Sequence, residues 1–312
     1  MMKEPRFWKK HQFLFSLLVI LVVTFFCFSL LGYPQDESKV MGFRDLLPTI
    51  APYPVLKNNS LMPELTAKAA FVRDIDSGVV LYEKNPDLRL SPASTTKLMT
   101  ALVARENYPL DKVLGATGQK LEGNNTRLQP GERLTVENLL YALLVGSVNE
   151  AAITLAENFP QGEAGFVWAM NQKAKEMGLK NTNFENPVGF DDDNHYSTAR
   201  DLVYLTRAAI KDAVILKMIG TSGLTISDVT GKYSHYLKNT DELVGESGEI
   251  KGGKTGWTQN AGECLVSLIN KDNQNMVAAV LGSQDRFGET KVLVDWILTN
   301  YDWQIIAPTS YR

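Results

Sequence analysis

A serine and a lysine lie three residues apart in residues 91–100, SPASTTKLMT, where Ser94 and Lys97 precede an apolar run. In a helix, residues at this spacing share one face, so the Lys97 amine can reach the Ser94 hydroxyl. A serine hydroxyl becomes a good nucleophile when a base removes its proton, and a lysine can be that base if desolvation or a neighbouring cation lowers its pKa. The alternative is that Ser94 only caps the helix and that Lys97 is solvated.

Two further short motifs follow along the chain. Ser147-Val148-Asn149 lies at the junction of two predicted helices, and Lys254-Thr255-Gly256 begins a strand-like segment. Ser-x-x-Lys with Ser-Asp-Asn and Lys-Thr-Gly is the signature of β-lactamases and penicillin-binding proteins, and here Val148 replaces only the middle residue of the second motif. Three motifs in this order, each in a fitting element, indicate lysine-activated serine chemistry where one motif alone would not.

The residues around these motifs resemble one family. The chain is similar to the exported serine D-alanyl-D-alanine carboxypeptidases, the low-molecular-mass penicillin-binding proteins of the bacterial cell wall. The similarity runs from about residue 67 to residue 301 and includes PASTTKLMTALVA, LLVGSVNEAAITLAE and KTGWTQNAGECLVS. No Glu-x-x-Leu-Asn segment lies between the second and third motifs, where a class A β-lactamase would carry its deacylating glutamate.

The resemblance implies a catalytic role for each motif. Ser94 would attack the carbonyl between the two terminal D-alanines of a peptidoglycan stem peptide, with Lys97 as the base. Lys254 would help keep Lys97 neutral and would attract the substrate's terminal carboxylate. Ser147 would relay a proton to the departing D-alanine, and Asn149 would hold the peptide amide and orient Lys97. Water would then hydrolyse the acyl-enzyme, and β-lactam antibiotics would act as covalent inhibitors.

The substrate-binding residues expected from the same resemblance are Thr255, Gly256, Trp257 and Arg286. The family's geometry takes two oxyanion donors from the backbone N–H groups of Ser94 and Trp257. A hydroxyl and a guanidinium suit a carboxylate, so Thr255 and Arg286 are its expected ligands, although Arg286 could equally be a surface arginine. The Trp257 side chain is expected to form a pocket wall.

His195 allows a different interpretation of the chemistry. It follows the acidic residues 191–193 and could complete a Ser-His-Asp triad. The favoured interpretation is a polar loop before a helix capped at Ser197 or Thr198, because the lysine leaves no task for a histidine base. The acidic run lacks the alternating ligands and glycine of a calcium loop, and the His and Cys residues show no zinc spacing. We expect no metal and no cofactor.

The composition is that of an ordinary globular protein. Of the 312 residues 44% are hydrophobic and 21% charged, which suits one large domain or two modest ones. A net charge of -3 without a long run of one sign argues against nucleic acid as a partner. Cys27 and Cys264 are expected to be two separate, passive thiols.

An apolar segment near the N-terminus predicts a membrane anchor. Residues 13–33 are 21 residues without a charge, enough for a helix to cross a hydrocarbon core of about 30 Å. Basic residues precede the segment and acidic ones follow, which places residues 1–12 in the cytoplasm and the remainder outside. A cleaved signal peptide is the alternative, but no small-residue cleavage site follows. Residues 34–65 carry five prolines and read as a linker.

The rest of the chain predicts an α+β domain over residues 66–305. A strand hairpin is followed by a block of helices with apolar residues three and four apart, then by short strands and a closing amphipathic helix. Its first and last strands would form one antiparallel sheet with the helices packed against it, and the resemblance implies the fold of β-lactamases and penicillin-binding proteins. Many relatives continue into a second domain and a C-terminal membrane helix, so we expect residues 13–33 to be the tether here.

Several functions are open to such a chain. The leading hypothesis is a hydrolase that trims the terminal D-alanine. A D,D-endopeptidase that cuts cross-links is equally compatible with the motifs, because both enzymes cleave after a D-alanine. A β-lactamase and a non-catalytic wall-binding protein are the remaining alternatives, and the presence of Ser94, Lys97 and Lys254 argues against the latter.

Overall fold

The computed structural model describes residues 52–57, 61–116, 128–246 and 248–305. The predicted anchor, residues 13–33, and Cys27 lie outside these ranges. Among the helices that are described, none combines the length and the apolar character needed to cross a bilayer.

The strands and helices alternate along the chain in an α+β arrangement. The strands are β1 (Tyr53–Leu56), β2 (Ala69–Asp74), β3 (Val80–Lys84), β4 (Val113–Gly115), β5 (Arg133–Thr135), β6 (Gly223–Ser227), β7 (Ser234–Lys238), β8 (Ile250–Thr258), β9 (Gly262–Lys271), β10 (Gln274–Ser283) and β11 (Tyr301–Gln304). The helices are α1 (Lys97–Asn107), α2 (Val136–Leu144), α3 (Asn149–Glu157), α4 (Gly162–Glu176), α5 (Ala199–Ala209), α6 (Ala213–Ile219) and α7 (Arg286–Asn300).

The central sheet joins the two ends of the domain, as the sequence predicted. Its five strands have the order β3-β2-β10-β9-β8, and every neighbouring pair is antiparallel. β10 pairs with β2 from Met276 opposite Asp74 to Leu281 opposite Ala69, which closes the sheet across some 200 residues of chain. β8, which carries the Lys-Thr-Gly motif, is an edge strand of this sheet.

Helices cover both faces of the sheet, so the domain has two hydrophobic cores. Phe71 of β2 enters the larger core, formed with α1, α2 and the other central helices. Its neighbour Val72 points to the opposite face, where Leu293 of α7 packs. This alternation follows from the two-residue period of a strand, and it explains why β2 reads as a continuous apolar run.

A short strand lies inside the stretch predicted as a linker, which corrects the start of the domain. β1 pairs with β11 from Tyr53 opposite Gln304 to Leu56 opposite Tyr301. Four residues that include Pro54 are too few to show an alternating pattern, and β11, the strand that β1 pairs with, lies at the far end of the domain. The ordered domain therefore begins before residue 66.

Two helix boundaries matter for chemistry. α1 is preceded by a single 3-10 turn, Ala93–Thr96, which contains Ser94. α5 begins after Thr198, whose side chain accepts a hydrogen bond from the Asp201 N–H. Of the two predicted caps, Ser197 and Thr198, Thr198 is therefore the one that caps the helix.

Candidate active site

Ser94 and Lys97 form a buried pair at the start of α1. Lys97 is the first residue of the helix and has no exposed surface. Its Nζ lies 2.7 Å from Ser94 Oγ. The preceding residue, Ala93, has a φ of +48°, a left-handed conformation that is rare outside glycine and asparagine. The alternative of a solvated first-turn lysine is therefore wrong.

Two further contacts of the Lys97 amine define how it can act. Its Nζ also lies 2.9 Å from Asn149 Oδ1 and 2.9 Å from the carbonyl oxygen of Val188. Neither of these oxygens can donate a proton, so both must accept one from the amine. A neutral amine has two N–H groups and one lone pair. With both N–H groups committed, the lone pair is left for the Ser94 hydroxyl, which is the arrangement a general base requires.

The surroundings of Lys97 favour this neutral form. Burial lowers the pKa of Lys97 well below its usual value, and the positive charge of Lys254 lowers it further. The carboxylate of Glu150 acts in the opposite direction. The sequence predicted both causes, the apolar helix and the second cation, but not the opposing acid.

Ser147 and Asn149 reach the same site from the turn between α2 and α3. Ser147 has a φ of +54°, and such a conformation in a non-glycine residue costs about 1–3 kcal/mol and often marks a functional position. The ammonium of Lys254 donates to Ser147 Oγ at 2.8 Å. Asn149 is the first residue of α3 and faces Lys97.

Lys254 lies in the middle of β8 and is almost completely buried. The sequence placed its motif at the start of a strand, whereas β8 begins four residues earlier; Gly252 and Gly253 weaken the strand signal there. Burial lowers the pKa of Lys254 to about 7, the charge of Asp241 opposes this shift, and Arg286 adds to it. Because this pKa is close to neutral, the charges around Lys254 decide whether it is protonated at neutral pH.

Two glycines let the backbone approach the nucleophile closely. A Cβ at Gly256 would lie 2.9 Å from the backbone nitrogen of Ser94, so β8 runs directly beside the serine. Gly189, with a φ of +94°, approaches from the other side, and a Cβ there would lie 1.9 Å from the carbonyl oxygen of Ala93. The strand that carries Trp257 therefore lies next to Ser94. These are the two residues whose backbone N–H groups are expected to be the oxyanion donors.

A cleft of about 530 Å³ opens over the serine. Its lining includes Ser94, Ser147, Asn149, Thr255, Trp257 and Arg286. Thr255 Oγ1 lies 2.6 Å from Thr240 Oγ1, and Arg286 Nη1 donates to the carbonyl oxygen of Gly256 at 3.1 Å. The Trp257 side chain is 64% exposed at the cleft wall. Arg286 therefore lies at the cleft rather than on a distant surface.

The loop that holds Val188 was not recognised from the sequence as part of the site. Asn186 Oδ1 accepts hydrogen bonds from the backbone N–H groups of Val188, Gly189 and Phe190 at 3.2, 2.7 and 3.0 Å. This one side chain shapes the turn that brings the Val188 carbonyl to Lys97. The segment NPVGF carries turn signals that predict a loop, but nothing in it indicates which part of the fold the loop contacts.

His195 has no place in the chemistry, and the triad interpretation is wrong. Its Nε2 lies 2.9 Å from Thr96 Oγ1, and its Nδ1 accepts from the Glu185 N–H at 3.2 Å. Both ring nitrogens are used in buried contacts. Burial lowers the pKa of His195 to about 4, against the charges of Asp192 and Asp191. The residue is a neutral structural histidine beneath the site.

Cys264 is a buried thiol on β9. Burial raises the pKa of Cys264 to about 11, so the reactive thiolate is suppressed at neutral pH. In the described part of the chain, no three His, Cys, Asp or Glu side chains come together as a metal site.

Comparison with known proteins decides the family. The family model described as D-alanyl-D-alanine carboxypeptidase matches residues 57–285. The chain belongs to the D-alanyl-D-alanine carboxypeptidase family. This confirms the resemblance seen in the motifs and, at the level of the family, the expected serine carboxypeptidase class.

Relatives of this chain are named both as carboxypeptidases and as endopeptidases. The D-alanyl-D-alanine carboxypeptidase DacF of Bacillus subtilis is 35% identical over 246 residues, which cover 76% of this chain and 63% of DacF. The chain thus spans less than two thirds of that relative. A D-alanyl-D-alanine endopeptidase of Pseudomonas aeruginosa is 36% identical over 261 residues, covering 81% of this chain and 84% of the relative.

Solved structures of the carboxypeptidase family share the fold. The Streptomyces K15 DD-transpeptidase superposes with a TM-score of 0.73 at 28% identity, covering 77% of this chain and 100% of that one. The predicted α+β fold of penicillin-binding proteins, with its antiparallel sheet, is therefore confirmed.

Proposed function

We propose that this protein is a penicillin-binding serine D-alanyl-D-alanine carboxypeptidase, which removes the terminal D-alanine of peptidoglycan stem peptides through an acyl-enzyme on Ser94. The observation that carries the proposal is the buried Lys97 amine, whose Nζ is held by two acceptors and lies 2.7 Å from Ser94 Oγ. A buried lysine that takes the Ser94 proton activates the nucleophile without a metal or cofactor.

Acylation begins when Lys97 takes the Ser94 proton while Oγ bonds to the carbonyl carbon between the two D-alanines. The oxyanion that forms is stabilised by the backbone N–H groups of Ser94 and Trp257. Collapse of this intermediate breaks the C–N bond. The departing amine takes its proton from the Ser147 hydroxyl, the proton that Lys97 took from Ser94 replaces it so that Lys97 is neutral again, and the Lys254 ammonium that donates to Ser147 Oγ supports this relay.

Binding of the D-alanine carboxylate positions the substrate for this attack. Lys254 supplies positive charge beneath the cleft, Thr255 a hydroxyl on its wall, and Arg286 a guanidinium at its edge. Gly256 keeps β8, and with it the substrate site, close to Ser94, and Trp257 forms the exposed wall. Water then hydrolyses the ester, with Lys97 again taking a proton.

A second activity, D,D-endopeptidase cleavage of peptide cross-links, is favoured by one specific observation. The endopeptidases of Pseudomonas aeruginosa and Escherichia coli match 36% and 33% of aligned residues, and the alignments cover 84% and 83% of their lengths. The bond cleaved also follows a D-alanine, so the same residues serve both reactions. Defined muropeptides separate the two: a pentapeptide would release free D-alanine, and a cross-linked dimer would yield two monomers.

We also propose that the enzyme is exported and held at the bacterial membrane by residues 13–33, with residues 1–12 in the cytoplasm. The apolar length and the flanking charges of this segment support the proposal. Protease treatment of intact spheroplasts tests it, because an exported domain would be digested whereas a cytoplasmic one would survive until lysis.

Intact-mass analysis of the full chain with and without benzylpenicillin tests the catalytic proposal. The parent and a Ser91→Ala control should gain the mass of one penicillin, and Ser94→Ala should gain none. A parent that gains no mass and leaves the penicillin intact would instead be a wall-binding protein. A parent that gains no mass but consumes the penicillin would be a β-lactamase.

A further inference from the structure

Asp241 is a buried acid that belongs to none of the three motifs. It is 1% exposed and lies in the segment between β7 and β8. Its Oδ1 accepts from the Leu243 N–H at 3.1 Å, and its own N–H donates to Asn239 Oδ1 at 2.9 Å. Asn239 is fixed in turn by its amide, which donates to the Thr221 carbonyl at 2.8 Å. The backbone around Asp241 is therefore held in one position.

The second carboxylate oxygen of Asp241 points at the catalytic strand. Oδ2 is buried and has no hydrogen-bond partner in the described structure. A Cβ added to Gly253 would lie 2.6 Å from it, so the absence of a side chain at residue 253 leaves room for the carboxylate against β8. The next residue on that strand is Lys254. A buried carboxylate oxygen without a hydrogen bond costs free energy of folding unless positive charge compensates it.

The charged groups around Asp241 identify its partner. Lys254 on β8 and Arg286 on α7 act on it as positive charges, and Glu242 in its own segment acts as a negative one. Lys238 and Glu246 line a neighbouring pocket of about 430 Å³ with it. Arg286 and Lys254 repel each other, so of these groups Asp241 is the one whose charge supports the Lys254 ammonium.

We propose that Asp241 is a positioning residue of the carboxypeptidase, whose negative charge behind β8 keeps Lys254 protonated and thereby able to bind the carboxylate of the substrate. This inference rests on the proposed function. It assigns to the segment after β7 a part in substrate recognition, with Thr240 bonded to Thr255 and with the Asp241 carboxylate packed against β8 at Gly253, the residue before Lys254.

The pH dependence of this effect has a defined sign. Burial lowers the pKa of Lys254 to about 7 although Asp241 opposes the shift, so loss of the Asp241 charge lowers that pKa further. The variant would then lose carboxylate binding at a lower pH than the parent. Burial also raises the pKa of Asp241 to about 6. Below this pH the acid is neutral in the parent too, and the two proteins should behave alike.

The test compares the full-length parent with Asp241→Asn from pH 5 to pH 9. We expect the acylation rate constant with benzylpenicillin and kcat/KM on a pentapeptide to fall about tenfold at pH 8, the effect of one pKa unit, mainly through KM. At pH 5.5 the variant should lie within about twofold of the parent. The alkaline limb of the pH–rate profile, where activity falls as Lys254 loses its proton, should lie at lower pH in Asp241→Asn than in the parent.

Asp74→Asn is the matched control, because Asp74 is equally buried and accepts from Ser77 and Trp303 far from the cleft. It should lower Tm without moving the limb. If Asp241→Asn does not fold, Asp241→Ser removes the charge while its hydroxyl can still accept from the Leu243 N–H, and it should move the alkaline limb in the same direction.

A loss of activity that is equal at every pH, or an unmoved limb, would overturn the role of Asp241 while leaving Ser94 chemistry intact. Absence of a penicillin adduct on the parent at any pH would instead overturn the proposed function itself. The two failures are therefore distinguishable in one set of measurements.

Discussion

The Nζ atom of Lys97 lies 2.9 Å from the carbonyl oxygen of Val188, a residue 91 positions further along the chain. Together with Asn149 Oδ1, this carbonyl occupies the two N–H groups of the neutral amine and directs its lone pair at Ser94. The base is thus oriented by groups outside its own helix. Because a carbonyl cannot change its hydrogen-bonding role, the arrangement is maintained after the proton has moved.

Lys97→Arg should slow acylation strongly, because it replaces a neutral amine with a permanently charged group. Arginine keeps its proton in proteins, so it cannot act as the base. We expect the rate of benzylpenicillin acylation to fall about 10²–10⁴-fold, the usual contribution of general base catalysis. Stopped-flow or intact-mass kinetics measure this, with thermal melting to show that the variant folds. A rate within tenfold of the parent would exclude Lys97 as the base.

Gly189→Ala should damage the site through a backbone clash. The new Cβ would lie 1.9 Å from the Ala93 carbonyl oxygen, next to the nucleophile. Gly162→Ala is the matched control, since Gly162 also has a positive φ but nothing within 4 Å of the added atom. The control should cost about 1–2 kcal/mol of unfolding free energy from φ alone and leave acylation unchanged. Gly189→Ala should cost more and slow acylation at least tenfold. Equal effects in both variants would contradict the close contact.

Arg286→Gln should weaken substrate binding more than turnover. Arg286 lines the cleft, and its Nη1 donates to the Gly256 carbonyl, which holds the guanidinium at the cleft edge. Loss of a charged hydrogen bond worth about 1.5–3 kcal/mol predicts a KM about 10–100-fold higher, with kcat changed only a few fold. Steady-state kinetics on a D-alanyl-D-alanine peptide measure both. Arg89→Gln, at an exposed arginine bonded to Asn181, should change neither.

His195 should make the fold less stable in acid. Its pKa is about 4 in the folded protein against an ordinary 6.5, so between these values the unfolded chain binds more protons. Stability is therefore full above pH 6.5 and falls as the pH drops towards 4, by about 3 kcal/mol for this shift. Urea unfolding at pH 7 and pH 4.5 measures the loss. His195→Gln should show a smaller difference between the two pH values, and an unchanged difference would contradict this origin.

The sequence predicted well those strands and helices whose signal lies in their own residues. Apolar periods of two and of three to four residues mark β2, β3 and the central helices, because these patterns reflect which face of each element is buried. β1 escaped prediction since its pairing with β11 depends on a strand at the other end of the domain. The same holds for the loop at Val188, whose turn residues are visible but whose contact with Lys97 is not.

The sequence by itself determined the chemical groups of this protein: two serines, two lysines and an amide in three short motifs, and with them the family. Only the tertiary structure decided which charges act on those groups. The carbonyl of Val188 orients Lys97, and the negative charge of Asp241 opposes the loss of the Lys254 proton that burial favours. His195 lies in a buried contact with Thr96 and has a structural role. The physical reason is that residue type and spacing are local properties, whereas burial, pKa and hydrogen-bond geometry depend on segments that meet only when the whole chain has folded.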